Sequence, residues 1–131
     1  MHRIANVQLW VHDQDVALAF YTDKLGFSVT IDMDDYLQIR CGGEGGPELA
    51  FYRGKELLGV GRAERFDGRG LVISIPTPDA DALHAAVSER GCKPLTAPSD
   101  KPWRWRSFSV SDPSGVVLDF FHVLAQSAAL D

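Results

Sequence analysis

Residues 7–27, VQLWVHDQDVALAFYTDKLGF, and residues 71–92, LVISIPTPDADALHAAVSERGC, say nearly the same thing twice. Each opens on an apolar strand-like run, passes an acidic residue at a helix start, continues with apolar residues at helical spacing and stops at glycine. Asp13 and Asp79 lie about 66 positions apart, and Gly26 and Gly91 repeat at nearly the same spacing. The two halves also close alike, with Glu48-Leu49-Ala50-Phe51 answered by Asp119-Phe120-Phe121-His122. A unit of about 65 residues with one helix and several strands cannot bury its apolar sheet face alone. Two such units must share a core or a cleft.

Outward from the repeat, residues 4–11 alternate, with Val7, Leu9 and Val11 on one face and Asn6, Gln8 and Trp10 on the other. Asp13 stands at an N-cap, and Val16, Ala19, Phe20 and Leu25 follow at helical spacing, so the helix is expected to reach about Lys24 and end at Gly26. Strands are predicted over 27–31 and 36–41, joined by a turn at Asp32-Met33-Asp34-Asp35. The glycine-rich stretch 42–47 fits neither GxGxxG nor a P-loop and reads as a hairpin tip before a strand at 48–53. After a connector at 54–69, the second half offers a strand at 71–76, then Thr77 as helix cap with Pro78 in the first turn. Leu83, Ala86 and Val87 supply the buried stripe of that helix. A loop at 97–103, a strand at 105–111, the turn Asp112-Pro113-Ser114-Gly115 and a strand at 116–122 complete it. The order is β-α-β-β-β twice over. This predicts an α+β fold in one domain, 1–131, with modules at about 3–54 and 69–123.

Composition narrows the function classes. At 131 residues, 45% apolar and 24% charged, the chain is an ordinary globular one. No apolar run approaches the roughly 18–20 residues that cross a bilayer, and the first residues lack a signal-peptide layout, so a cytoplasmic protein without membrane partners is expected. Cys41 and Cys92 have no CxxC spacing and read as reduced packing residues. A net charge of −5 argues against a nucleic-acid partner. Trp103-Arg104-Trp105-Arg106 is the one basic-aromatic interleave, set in acidic surroundings.

Three pieces carry a family resemblance: Val7-Gln8-Leu9-Trp10-Val11-His12-Asp13, the helix exit Phe20-Tyr21 with Leu25-Gly26-Phe27, and Asp112-Pro113-Ser114-Gly115 followed by Val116-Val117-Leu118-Asp119-Phe120. In this order, on a duplicated βαβββ pattern, the chain resembles the vicinal oxygen chelate superfamily of glyoxalase I, bleomycin-resistance proteins, fosfomycin-resistance enzymes and extradiol dioxygenases. That resemblance implies two modules curled around a cleft, and commonly a homodimer. It also implies, for the catalytic members, a divalent metal on four inward-facing residues. Carried over, those positions fall on Asn6, Glu48, Val72 and Asp119, where the family pattern has His or Gln, Glu, His and Glu. Valine coordinates nothing, and none of His2, His12, His84 and His122 repairs the loss, each reading as a surface or packing histidine. No cofactor is therefore expected, with a hard cation on Asn6, Glu48 and Asp119 as the alternative.

Alternation builds the expected cleft wall. With Asp119 inward, Phe121 lies beside it, Trp105, Ser107 and Ser109 share a face on the neighbouring strand, and Gln8 and Trp10 flank Asn6. Tyr36, Gln38 and Arg40 add polar contacts, and Trp103 is placed to act as a lid. Large aromatic area with a few polar groups suits a flat or amphipathic small molecule. Two readings follow. In one, the protein captures a hydrophobic or cationic aromatic ligand without chemistry, as antibiotic-resistance proteins of the bleomycin type do. In the other, a metal-dependent lyase, isomerase or transferase works through Glu48 and Asp119 as catalytic groups. Glu48 and Asp119 would otherwise be two acids in one cavity, needing hydration, pairing with Arg40 or Arg106, or a cationic ligand.

Overall fold

The computed structural model describes residues 4–11, 13–41, 46, 48–52 and 70–125, without the side chain of Trp10. The first half runs β1 (Asn6–Trp10), α1 (Gln14–Ala19), β2 (Ser28–Met33), β3 (Tyr36–Arg40) and β4 (Glu48–Tyr52). The second runs β5 (Val72–Pro76), α2 (Ala80–Glu89), β6 (Ser99–Asp100), β7 (Trp105–Ser111) and β8 (Val117–Val123). Each half is thus βαβββ and forms a four-stranded mixed sheet, ordered β1-β4-β3-β2 and β5-β8-β7-β6. The first strand of each half pairs in parallel with the last, and the other pairings are antiparallel. The duplicated architecture expected from the repeat is the one observed.

Three local expectations are corrected. Asp32 and Met33 belong to β2, and the turn shrinks to Asp34 and Asp35. Asp79, not Thr77, caps α2, its Oδ1 accepting the Ala82 N–H at 3.1 Å. Thr77 is still engaged with the sheet, donating its N–H to the Phe121 carbonyl at 2.8 Å, so the helix cannot begin until two residues later. The loop at 97–103 contains the short strand β6. Expectations for 42–45, 47 and 53–69 lie outside the described residues.

Asp13 caps α1 through Oδ1, accepting from Asp15 and Val16 N–H at 2.9 and 3.2 Å. The helix then widens into a π-helical turn, Phe20–Lys24, closed by the Leu25 N–H on the Phe20 carbonyl at 3.2 Å. Tyr21, in that turn, is wholly buried and packs its ring against Phe51 and Phe27, at centroid distances of 5.0 and 6.1 Å. Its hydroxyl donates to Asp112 Oδ2 at 2.7 Å, across 91 positions of sequence. Asp112 Oδ1 in turn accepts the Ser114 and Val116 N–H groups at 2.8 and 2.9 Å. Burial, then the Asp112 charge, push the Tyr21 phenol well above its ordinary value. Two motif pieces of the resemblance, Phe20-Tyr21 and Asp112-Pro113-Ser114-Gly115, therefore meet in one buried hydrogen bond that ties the halves together. Phe27 reinforces it against Phe120 at 6.1 Å.

Gly26 ends the first helix at φ +75, and a Cβ there would stand 3.0 Å from Arg90 Nη1, at the end of α2. Left-handed backbone costs an L-residue about 1–2 kcal/mol. Gly26→Ala is expected to lower the melting temperature by roughly 4–10 °C in a thermal melt followed by circular dichroism. A melt within 1–2 °C of wild type would show that the turn relaxes.

Candidate functional site

On the face of the first sheet opposite its helix, Asn6 pairs with Glu48 and Glu48 with Arg40, so all three project together. Their polar groups are joined to Tyr36, Gln38 and Thr30 in one network. Asn6 Nδ2 donates to Gln38 Oε1 at 2.9 Å and to the Tyr36 hydroxyl at 3.2 Å, while that hydroxyl donates to Gln38 Oε1 at 2.8 Å. Gln38 Nε2 donates to Glu48 Oε2, which also accepts from Thr30 Oγ1 at 3.1 Å. Arg40 Nη2 stands 3.5 Å from Glu48 Oε1. The Glu48 charge is compensated from within the sheet.

The second sheet is different. Asp119 lies opposite Ser109 on β7 and Ser74 on β5, and accepts a hydrogen bond from Ser74 Oγ at 3.3 Å. No cation pairs with it among the described residues. Two positions along β8, Phe121 stacks on Trp105, with centroids 3.6 Å apart and planes at 10°. Trp103 meets Trp105 edge-on at 6.3 Å and is 60% exposed. The turn that presents it is held by Arg104, at φ 66, whose N–H bonds the Lys101 carbonyl at 2.9 Å. Ser107, expected in the wall, is buried, and Ser109 is half-buried.

Arg106 and His122 face the helix side. Arg106 reaches Asp81 at 2.7 Å and Asp100 at 3.0 Å, and its hydrogen bond holds the Asp81 carboxyl below the usual range. It is therefore spent away from Asp119. His122 Nδ1 accepts the Ala80 N–H at 2.9 Å, adding a cap to α2, and His84 sets its ring edge-on to Phe108 at 5.1 Å. Both are packing histidines, while His2 and His12 lie outside the described residues. Cys41 and Cys92 are free, buried thiols, and burial pushes Cys41 up to about 12.

A hollow of about 100 Å³ at the seam between the halves is lined by Asn6 and Glu48 from one side and Ser74 from the other, with apolar walls of Ile4, Val7, Leu49, Ile73 and Ile75. The two polar faces thus adjoin there. The sequence model of the Glyoxalase/Bleomycin resistance protein/Dioxygenase superfamily matches residues 3–120. The chain belongs to this superfamily. A solved glyoxalase/bleomycin resistance protein/dioxygenase from Nocardioides is 25% identical, with a TM-score of 0.76 over 97% of this chain and 87% of its own. TnmS3, an antibiotic binding protein from Streptomyces sp. CB03234, is also 25% identical, with a TM-score of 0.73 over 94% of this chain and 97% of its own. No curated protein sequence matches.

The superfamily often holds a divalent metal, and the residues standing at the carried-over positions do not fit one. Glu48 is engaged by Arg40, Gln38 and Thr30, and Asn6 turns its amide nitrogen into the same network. Val72 is a hydrocarbon, 59% exposed, and lies opposite Val117 rather than opposite Asp119. The first-strand neighbour of Asp119 is Ser74, a weak neutral donor for a transition ion.

Sequence reasoning missed Ser74, Thr30, Ile31 and Met33. Ser74 stands two residues beyond Val72 on the same face of β5, and only the strand register sets it, and not Val72, opposite Asp119. The other three depend on a β-bulge between Val29 and Ile31, which a strict two-residue period does not reveal.

Proposed function

We propose that this protein captures a flat, hydrophobic or cationic aromatic small molecule on the face of its second module, without metal chemistry. One observation carries the reading: Asp119 is a half-buried carboxylate that pairs with no cation among the described residues, beside the stacked Trp105–Phe121 pair. Aromatic faces attract cations by about 0.5–2 kcal/mol, and a neighbouring carboxylate adds an opposite charge where the ligand is already desolvated by the rings. Ser74 and Ser109 supply orienting hydroxyls. Glu48 lacks this opportunity because Arg40 holds it. Similarity to an antibiotic-binding protein supports the same use of the fold.

The ligand site belongs, in this reading, to a single domain spanning 1–131 that works in the cytoplasm as a homodimer. The buried free thiols suit a reducing compartment, and among the described residues no helix is long and apolar enough to cross a membrane.

Titration with proflavine, a planar cation, and with acridone, its uncharged analogue, tests the reading by tryptophan fluorescence. Saturable quenching with a dissociation constant of about 1–50 μM for proflavine is expected, and weaker binding for acridone. Quenching that stays linear for both ligands would remove the capture reading.

A further inference from the structure

We propose that β2, the outer strand of the first sheet, is the edge through which two copies of this chain join, each β2 pairing antiparallel with the other; this names the contact surface of the homodimer proposed above and rests on that reading. The two sheets end differently. The second ends on β6, two residues long and bracketed by Pro98 and Pro102, which cannot donate to a further strand. The first ends on β2, Ser28-Val29-Thr30-Ile31-Asp32-Met33, which has neither proline nor lysine and is exposed at every position but Thr30. Among the described residues no strand lies on its outer side. An open edge of this length presents a row of backbone N–H and C=O groups to another strand.

The bulge in β2 decides which strand fits there. Ser28 pairs with Arg40 and Val29 with Ile39, but past Thr30 the register shifts, so that Ile31 pairs with Gln38, Asp32 with Leu37 and Met33 with Tyr36. Thr30 donates to Glu48 Oε2 at 3.1 Å and accepts from Gln38 Nε2 at 3.2 Å, which puts it on the polar face as well. Along β2 the faces therefore run polar, helix, polar, polar, helix, polar. A strand with strict two-residue alternation falls out of step with this order between Thr30 and Ile31. The order reads the same backwards, however, so a second β2 running antiparallel matches it throughout. Ser28 then meets Met33, Val29 meets Asp32 and Thr30 meets Ile31, twice over about a two-fold axis. Charge agrees with that direction. Arg90 Nη1 would stand 3.0 Å from a Cβ at Gly26, just before β2, and Asp32 lies near the other end, so each acidic end is brought toward the basic start of its partner strand. Val29, Ile31 and Met33, all exposed, gain cover in the pair. One strand pair is a small contact, which fits a weak, concentration-dependent dimer.

Sedimentation velocity over about 5–500 μM protein is expected to show a monomer–dimer equilibrium with a dissociation constant on the order of 10–100 μM. Ile31→Lys sets two ammonium groups beside the two-fold axis and should weaken association at least about tenfold, while Val16→Lys, at an exposed apolar residue of α1, should leave it within about twofold. Disulfide trapping reads the register. Val29→Cys mixed with Asp32→Cys and oxidised with diamide should cross-link at least about fivefold more than either variant alone, because opposed residues have Cα atoms about 5 Å apart and like residues are three positions, about 10 Å, out of step. Cys41 and Cys92 are buried and stay out of the reaction. Equal cross-linking in the mixture and in the separate variants overturns the pairing. A dimer that persists unchanged in Ile31→Lys overturns the β2 contact and leaves the homodimer standing. A monomer at every concentration removes the contact and the homodimer together, and ligand capture, read by tryptophan quenching, is decided separately.

Discussion

Asp112→Ala is expected to destabilise the fold by about 3–5 kcal/mol, the largest effect of any single substitution considered. The carboxylate accepts from the Tyr21 hydroxyl through Oδ2 and from two backbone N–H groups through Oδ1, all in buried or half-buried surroundings. Alanine leaves three donors without a partner at once, and each unsatisfied buried group costs about 1–3 kcal/mol. Tyr21→Phe removes only one end of the bond and keeps the ring against Phe51 and Phe27, so about 1–3 kcal/mol is expected. Urea denaturation of both single variants and the double variant checks this. The double variant should be no more than slightly worse than Asp112→Ala, because the shared bond is lost once. Strict additivity would mean that the hydroxyl and the carboxylate do not act on each other. The pH dependence has a definite sign at the alkaline end. The Tyr21 phenol is raised in the folded state, so the stability associated with it is present below the ordinary tyrosine range and is lost as pH rises toward the folded value.

Most of the architecture was legible because the helix signals are local and were stated twice. Asp13 and Asp79 cap their helices, and Gly26 and Gly91 adopt positive φ at the ends. Alternation correctly separated Phe108 and Val110, packed in the core, from Trp105 and Ser109 on β7. What escaped is nonlocal or breaks a period. Thr77 looked like a cap because a threonine before proline is a local signal, yet its N–H is committed to Phe121 on another strand. Met33 looked like turn because aspartates surround it, while the bulge that carries it onto the polar face is fixed by pairing with β3. The fate of the two candidate acids was only partly legible, since Arg40 stood among their possible partners but strand register decides which acid it meets. Glu48 and Asp119 occupy repeat-related positions, but the residue facing Glu48 from β3 is Arg40 and the one facing Asp119 from β7 is Ser109. That difference in the neighbouring strand makes one carboxylate part of a charged network and leaves the other, among the described residues, with the Ser74 hydroxyl.

Asp119→Asn is accordingly expected to weaken proflavine binding about tenfold while changing acridone affinity less than twofold. The substitution keeps the shape of the side chain and its ability to accept from Ser74 Oγ, so the ring stack beside it is undisturbed. Raising salt from about 0.05 to 0.5 M should weaken proflavine binding to the wild type and have little effect on the variant, because the screened attraction is already gone. Trp105→Ala should weaken both ligands about tenfold or more, since it removes ring area that serves either one and strips Phe121 of its stacking partner. Glu48→Gln should act on the other axis. It removes the charge that Arg40 faces and lowers stability, measured by urea midpoint, with a much smaller change in proflavine affinity than Asp119→Asn. If the two carboxylate variants lost proflavine equally, the asymmetry between the modules would have no bearing on recognition. The ligand's cation would then be shared across the seam where Asn6, Glu48 and Ser74 meet, a geometry that requires the Arg40–Glu48 pair to open when ligand enters.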